Sequence, residues 1–146
     1  MKLGVEKEIA EKEPLAVCVE EYNELPVDKA AFKGEIPETA FEKLAVALEK
    51  RTGRPAIVTA GDKGCYVSEK GKVVHVKACK VTGEIDFCGA GDTFLSGLAA
   101  STAAGFRLAD AATIACCCSA VTIKKLKTTG TASRQELADA LKGYVR

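Results

Sequence analysis

The stretch Asp86–Phe94 reads DFCGAGDTF, with three small residues, Gly89-Ala90-Gly91, directly ahead of the acid Asp92 at the start of an apolar run. A helix N-terminus carries unpaired N–H groups and a partial positive charge. Glycine and alanine leave those groups bare, so a phosphate or a developing oxyanion can approach the backbone. The same partial charge favours an ionised acid in the first turn, available as a base. The plainer reading, a Gly-rich turn with an acid near a helix start, uses the same residues. The surrounding sequence decides between them.

Downstream, TFLSGLAASTAA continues the helix to about Gly105, and LADAATIACCCSAVTI (108–123) forms another, rich in Ala and Cys. Side chains this small let a helix lie close against a sheet or a second helix. KKLKTTGTAS (124–133) is a loop, and Ser133 with Glu136 makes a capping box for a final helix. Upstream, PAIVTA (55–60) is an apolar strand, GDKG (61–64) a turn, CYVS a second strand, EKGK a second turn and VVHVKA a third strand. Before them, Pro37 opens a helix in which Ala40, Phe41, Leu44, Ala45 and Leu48 share one face, with Gly53 beyond its end. LAVCV (15–19) reads as a short buried strand and 20–36 as irregular. Helices interleaved with strands predict a layered α/β fold with a mostly parallel sheet and flanking helices.

Composition narrows the function classes. The chain has 146 residues, enough for one domain with a real core. Lys and Arg total 21 against 20 for Asp and Glu, so there is no basic footprint for nucleic acid. Its apolar runs are too short or too interrupted to span a membrane, and MKLGVEKEIAEKEP has charges where a signal peptide needs apolar residues. A cytoplasmic location is expected. The seven cysteines include no CxxC pair and stand with a single histidine, His75, which gives a zinc site no support. Cys18, Cys65, Cys79, Cys88 and the run Cys116-Cys117-Cys118 read instead as small core residues in a reducing compartment. No metal site is expected.

Taken together, Asp86, two intervening residues, then Gly89-Ala90-Gly91-Asp92 and the small-residue helix through Ser96-Gly97-Leu98-Ala99 resemble the C-terminal signature of the ribokinase (PfkB) family of carbohydrate kinases. TAGDKG (59–64) looks like the family's T-x-G-x-x-G turn, and VTGEID with KLKTTGTAS is most similar to its heptose-phosphate-kinase-like branch. The resemblance runs from about Pro37 to the end. It implies a Rossmann-like, C-terminal portion of a ribokinase fold, containing the nucleotide-binding and catalytic parts, with the N-terminal sugar-binding half unmatched.

The implied activity is phosphoryl transfer from ATP, with Mg²⁺, to a sugar or sugar-phosphate hydroxyl. By family position Asp92 is the base, the N–H groups of Gly89, Ala90 and Gly91 form the anion hole, and Thr59, Gly61 and Gly64 lie along the nucleotide phosphates. Such a loose transition state asks mainly for positioning and electrostatic stabilisation. Lys63 reads as a solvated turn lysine. The pattern departs from the family at Phe87, at Cys116 where an Asn is usual, at Lys127 where a Gly is usual, and at Asn23, which lacks the Glu three residues on. Expected partners are nucleotide and sugar, with self-association or pairing with a sugar-binding half. The other readings are a non-catalytic nucleotide-binding or interaction module and a kinase of a nucleoside or vitamin alcohol.

Overall fold

A computed structural model describes residues 38–128 and 130–144. Helix α1 spans Glu38–Thr52, followed by strand β1 (Ala56–Thr59), a single 3₁₀ turn (Gly61–Lys63), β2 (Cys65–Glu69) and β3 (Lys72–Val76). A connector without regular structure then leads to α2 (Ala90–Ala103), α3 (Leu108–Thr122) and α4 (Arg134–Tyr144). These bounds lie within a few residues of those expected from periodicity and turn residues.

The sheet is a meander in the order β1-β2-β3, and both pairings are antiparallel. This corrects the expected mostly parallel sheet, as far as the described residues go. A parallel pair needs a crossover of a dozen or more residues. Here β1 and β2 are joined by the short 3₁₀ turn, and β2 and β3 by Lys70-Gly71 alone. Both loop residues have positive φ, 54° and 73°, as a two-residue hairpin turn matching the strand twist requires. The expected strand at 15–19 and the Asn23 motif lie outside the described residues.

Alternation along the strands divides the core in two. Ala56 and Val58 of β1 and Tyr66 of β2 meet Phe41, Leu44, Ala45 and Leu48 of α1. Cys65, Val67 and Val76 meet Leu98 of α2 and Ala111, Ala112, Ala115 and Cys116 of α3. The sheet is therefore sandwiched between α1 and the α2–α3 pair. Each large α1 side chain buried this way contributes about 1.5–3 kcal/mol. On the α1 side, the Tyr66 ring stacks between Phe41 and His75, with centroids 5.5 and 4.4 Å away. Glu49 of α1 accepts the Gly71 N–H and the Ser68 hydroxyl, pinning the hairpin turn against the helix. The hydroxyl bond, with help from the backbone N–H, holds the Glu49 carboxyl below its usual range.

Helix α3 is buried around most of its circumference, including all three consecutive cysteines. Helices α2 and α3 approach closely at Gly97. A β-carbon there would sit 3.0 Å from Cys118 Sγ and 3.3 Å from Ala115 Cα. Of the other cysteines, Cys65 is buried and Cys79 half-buried, whereas Cys88 is exposed. The expectation of core cysteines therefore fails at Cys88, which stands in the turn before α2, away from either cluster. Cys18 lies outside the described residues. At α4, Ser133 N–H donates to Glu136 Oε2 (2.9 Å) and Glu136 N–H to Ser133 Oγ (3.3 Å), which is the expected capping box.

Candidate active site

Two loops carry the residues singled out by the sequence. The first follows β1. Thr59 ends the strand, and Gly61 and Gly64 bracket the 3₁₀ turn with φ of 59° and 95°. The turn closes on itself: Ala60 N–H donates to the Gly64 carbonyl at 2.7 Å and Gly64 N–H to the Gly61 carbonyl at 3.1 Å. Below it, His75 Nε2 donates to the Lys63 carbonyl (2.8 Å). Lys63 is half-buried, less solvated than a free turn lysine.

The two glycines differ in kind. A β-carbon on Gly61 would meet nothing within 4 Å, whereas one on Gly64 would lie 2.1 Å from the Val76 carbonyl oxygen and 2.5 Å from Ala78 N. Gly64 is there because β3 passes too close for any side chain. Gly61 faces open space.

The second loop starts α2. Gly89 occupies the N-cap in a left-handed conformation (φ 74°, ψ 6°) and offers no capping side chain. Its carbonyl receives both the N–H and the hydroxyl of Thr93, each at 2.9 Å, so the first turn is well formed. Ala90, Gly91 and Asp92 are the first three helical residues, whose N–H groups have no acceptor inside the helix. The Ala90 N–H donates to the Phe87 carbonyl at 3.1 Å. A β-carbon on Gly91 would meet nothing within 4 Å, and both Gly91 and Asp92 are exposed. A helix start with no side-chain cap and open space over its second residue is a surface an anion can approach.

Four hydrogen bonds hold this turn in place. Asp86 N–H donates to the Ile123 carbonyl at 2.8 Å, and its carboxylate accepts Cys88 N–H (2.9 Å) and Lys127 N–H (3.0 Å). These two backbone donors, Cys88 first, hold the Asp86 carboxyl below its ordinary range. Ser119 Oγ of α3 donates to the Ala90 carbonyl at 2.9 Å. Asp86 is therefore a clamp between the start of α2 and the loop after α3. Lys127 adopts φ 59°, the conformation glycine takes without cost. Ser119 was not legible in the sequence, because a single serine inside an Ala/Cys helix carries no spacing signal.

Thr59 alternates with Val58, so it lies on the sheet face opposite α1, where it is exposed. Its ladder partner Cys65 belongs to the core cluster against which Phe94, in the first turns of α2, also packs. Both candidate loops thus border one cluster on one face of the sheet. A separate cleft of about 760 Å³, lined by Lys77, Cys79, Lys80, Lys124, Lys125 and Tyr144 among others, contains none of the seven predicted site residues.

Comparison with known proteins assigns the chain to a family. The model for pfkB family carbohydrate kinases matches residues 28–135. The chain belongs to the pfkB family. Relatives include the bifunctional protein HldE of Photobacterium profundum, 34% identical over 120 residues covering 82% of this chain and 24% of the relative. The ribokinase of Schizosaccharomyces pombe is 38% identical over 73 residues, 49% of this chain and 23% of the relative. Among solved structures, Thermotoga maritima ribokinase matches with a TM-score of 0.61 and 26% identity, covering 72% of this chain and 40% of that one. Escherichia coli phosphofructokinase-2, solved with potassium, matches in fold alone, with a TM-score of 0.66 at 14% identity over 77% of this chain and 36% of that one. The ribokinase-like α/β fold read from GAGD is thus borne out. The chain spans about a quarter of the length of the curated pfkB relatives it matches.

Proposed function

We propose that this chain is the nucleotide-binding and catalytic portion of an ATP-dependent sugar kinase that phosphorylates a sugar or sugar-phosphate hydroxyl, working in the cytoplasm. The sugar-binding residues belong to a separate half of such an enzyme, so pairing or self-association accompanies activity. One observation carries the reading. GAGD forms an uncapped helix start in which open space over Gly91 adjoins the exposed carboxylate of Asp92.

In this reading Asp92 takes the proton from the attacking hydroxyl. The N–H groups of Gly89 and Gly91 face the transferred phosphoryl, and that of Ala90 joins them by exchanging its bond to Phe87. Thr59 and the open face of Gly61 lie along the remaining phosphates, while Gly64 fixes the shape of that turn. Among the described residues no cluster of three or more His, Cys, Asp or Glu forms a metal cage. In this reading Mg²⁺ enters as an ion carried by the nucleotide phosphates, where it neutralises charge. Asp86 acts at one remove, by holding the turn that presents Gly89 and Gly91.

The engaged Ala90 N–H favours a second reading, a nucleotide-binding module that has given up catalysis. Calorimetric titration of the chain with ATP and ADP, with and without Mg²⁺, separates the two from a protein that binds neither. Weak, Mg²⁺-sensitive binding is expected, lost in Gly91→Val, reduced modestly in Lys63→Ala and retained in Asp92→Asn. When the chain is completed with a sugar-binding half, Asp92→Asn should lower turnover by roughly 10²–10⁴-fold, the usual effect of removing a positioned base. Near-normal turnover in that variant sinks the base assignment. An inactive completed enzyme that still binds nucleotide selects the module, and no binding at millimolar nucleotide refutes both.

A further inference from the structure

The connector between β3 and α2 carries Cys79, and its Sγ lies 3.0 Å from Sγ of Cys117 on α3. The two residues differ in surroundings. Cys117 is fully buried, whereas Cys79 is half-buried and lines the 760 Å³ cleft together with Lys77, Lys80, Lys124 and Lys125. The acids on that cleft are already engaged: Glu136 with Lys125, and Asp139 with Lys142 and Gln135. A partly exposed thiol in an electropositive cleft, beside a buried second thiol, is the arrangement of an attacking and a resolving cysteine.

We propose that Cys79 and Cys117 are an oxidant-responsive dithiol, converted by a hydroperoxide into a disulfide that ties the connector ahead of the GAGD helix to α3. The hydrogen bond from Cys117, with Lys124 nearby, lowers the Cys79 thiol below its usual value, whereas the same contact and burial push Cys117 up. In the proposed step Cys79 reacts as the thiolate and Cys117 keeps its proton. The Cys79 thiolate attacks the peroxide, an S–O bond forms, the O–O bond breaks, and the leaving oxygen departs as water or alcohol after taking a proton from solvent. Cys117 Sγ then attacks the Cys79 sulfur and the S–S bond forms. The S–O bond breaks, and water leaves with the Cys117 proton. The dithiol loses two electrons, and the peroxide gains them.

Geometry sets this pair apart from the other thiols. Cys65 and Cys116 face one another but are both buried in the core. Cys118 packs against Gly97, and Cys88 is exposed beside Asp86. The disulfide would add a covalent tie to the hydrogen bonds already linking the connector and α2 to α3 and the loop that follows it, at Asp86–Ile123, Asp86–Lys127 and Ala90–Ser119.

The test oxidises the full chain, reduced beforehand, with stoichiometric hydrogen peroxide in a Cys88→Ser background that suppresses intermolecular pairing. Non-reducing tryptic mapping should yield the peptide 78–80 cross-linked to the peptide 108–124, with tandem fragmentation placing the bond on Cys117 rather than Cys116 or Cys118. The cross-link should vanish in Cys79→Ala and Cys117→Ala and persist in Cys118→Ala. Oxidation should also raise the melting temperature by several degrees, reversed by dithiothreitol. The fragmentation result on the unsubstituted pair needs only the Cys88→Ser background to fold, a change at an exposed residue, and no substitution at either buried or half-buried thiol. No cross-link under these conditions, one placed on Cys65–Cys116, or one surviving Cys117→Ala would overturn the proposal.

Discussion

Replacing Gly64 by alanine tests whether the second glycine of TAGDKG serves the fold or a ligand. The added β-carbon would stand 2.1 Å from the Val76 carbonyl oxygen, 2.5 Å from Ala78 N and 2.7 Å from Lys77 C. Optimal carbon contacts are about 3.5–4.0 Å, so the overlap exceeds an ångström at backbone atoms that have no rotamer to change. Relief requires opening the Cys65–Val76 end of the β2–β3 ladder. The φ of 95° adds a penalty, because L side chains rarely adopt it. Strained backbone costs about 1–3 kcal/mol and forced overpacking about 1–3 kcal/mol, so Gly64→Ala should destabilise by about 3–5 kcal/mol. Gly61→Ala, at φ 59° with nothing in the way, should cost only about 1 kcal/mol. In a chain of this length the difference corresponds to a gap in melting temperature of roughly 5–15 °C. Thermal unfolding followed by far-UV circular dichroism reads it directly, and soluble yield provides a second measure should Gly64→Ala not accumulate. Equal stability of the two variants would refute the assignment of Gly64 to packing.

Gly97→Ala should destabilise by about 1–3 kcal/mol through contact with Cys118 and Ala115, and Cys118→Ala should recover part of that loss, a coupling that a double-mutant cycle in urea measures. Lys127→Gly should stabilise the chain by about 0.5–1 kcal/mol, because the left-handed strain removed exceeds the added freedom of the unfolded chain; chemical denaturation checks the sign. The Glu136 carboxyl is held down to about 2, first by the Lys125 ammonium and then by Ser133 N–H. A depressed carboxyl in the folded state means that the unfolded chain binds the proton more readily, so stability rises with pH across this window. The contribution from Glu136 is full above about pH 4.5 and is lost as the pH falls towards 2. A pH series on Glu136→Gln should be flatter than wild type over that interval, and parallel curves would contradict the pairing.

Local chemistry announced a good deal of this molecule. Helix α1 followed from the recurrence of Phe41, Leu44, Ala45 and Leu48, because a 3.6-residue period puts them on one side whatever they pack against. The start of α2 at GAGD and the capping box at Ser133 and Glu136 followed from the demands of a helix terminus, which are satisfied within a few residues. Pairing direction was different. The sequence order of helices and strands predicts a parallel sheet, but the three described strands are joined by turns too short for any crossover and pair antiparallel. Nor does any local signal distinguish Gly61, facing open space, from Gly64, pressed against β3, since the distinction depends on where Val76 and Ala78 return. The same holds for Asp86, Ser119 and Lys127, and for the meeting of Cys79 with Cys117. Sequence by itself determined which residues favour a helix start, a turn or a buried stripe, because those preferences are set by neighbours along the chain. Tertiary structure alone decided which glycines bear contact, which acid clamps the GAGD turn and which thiols touch, because those are contacts between segments tens of residues apart.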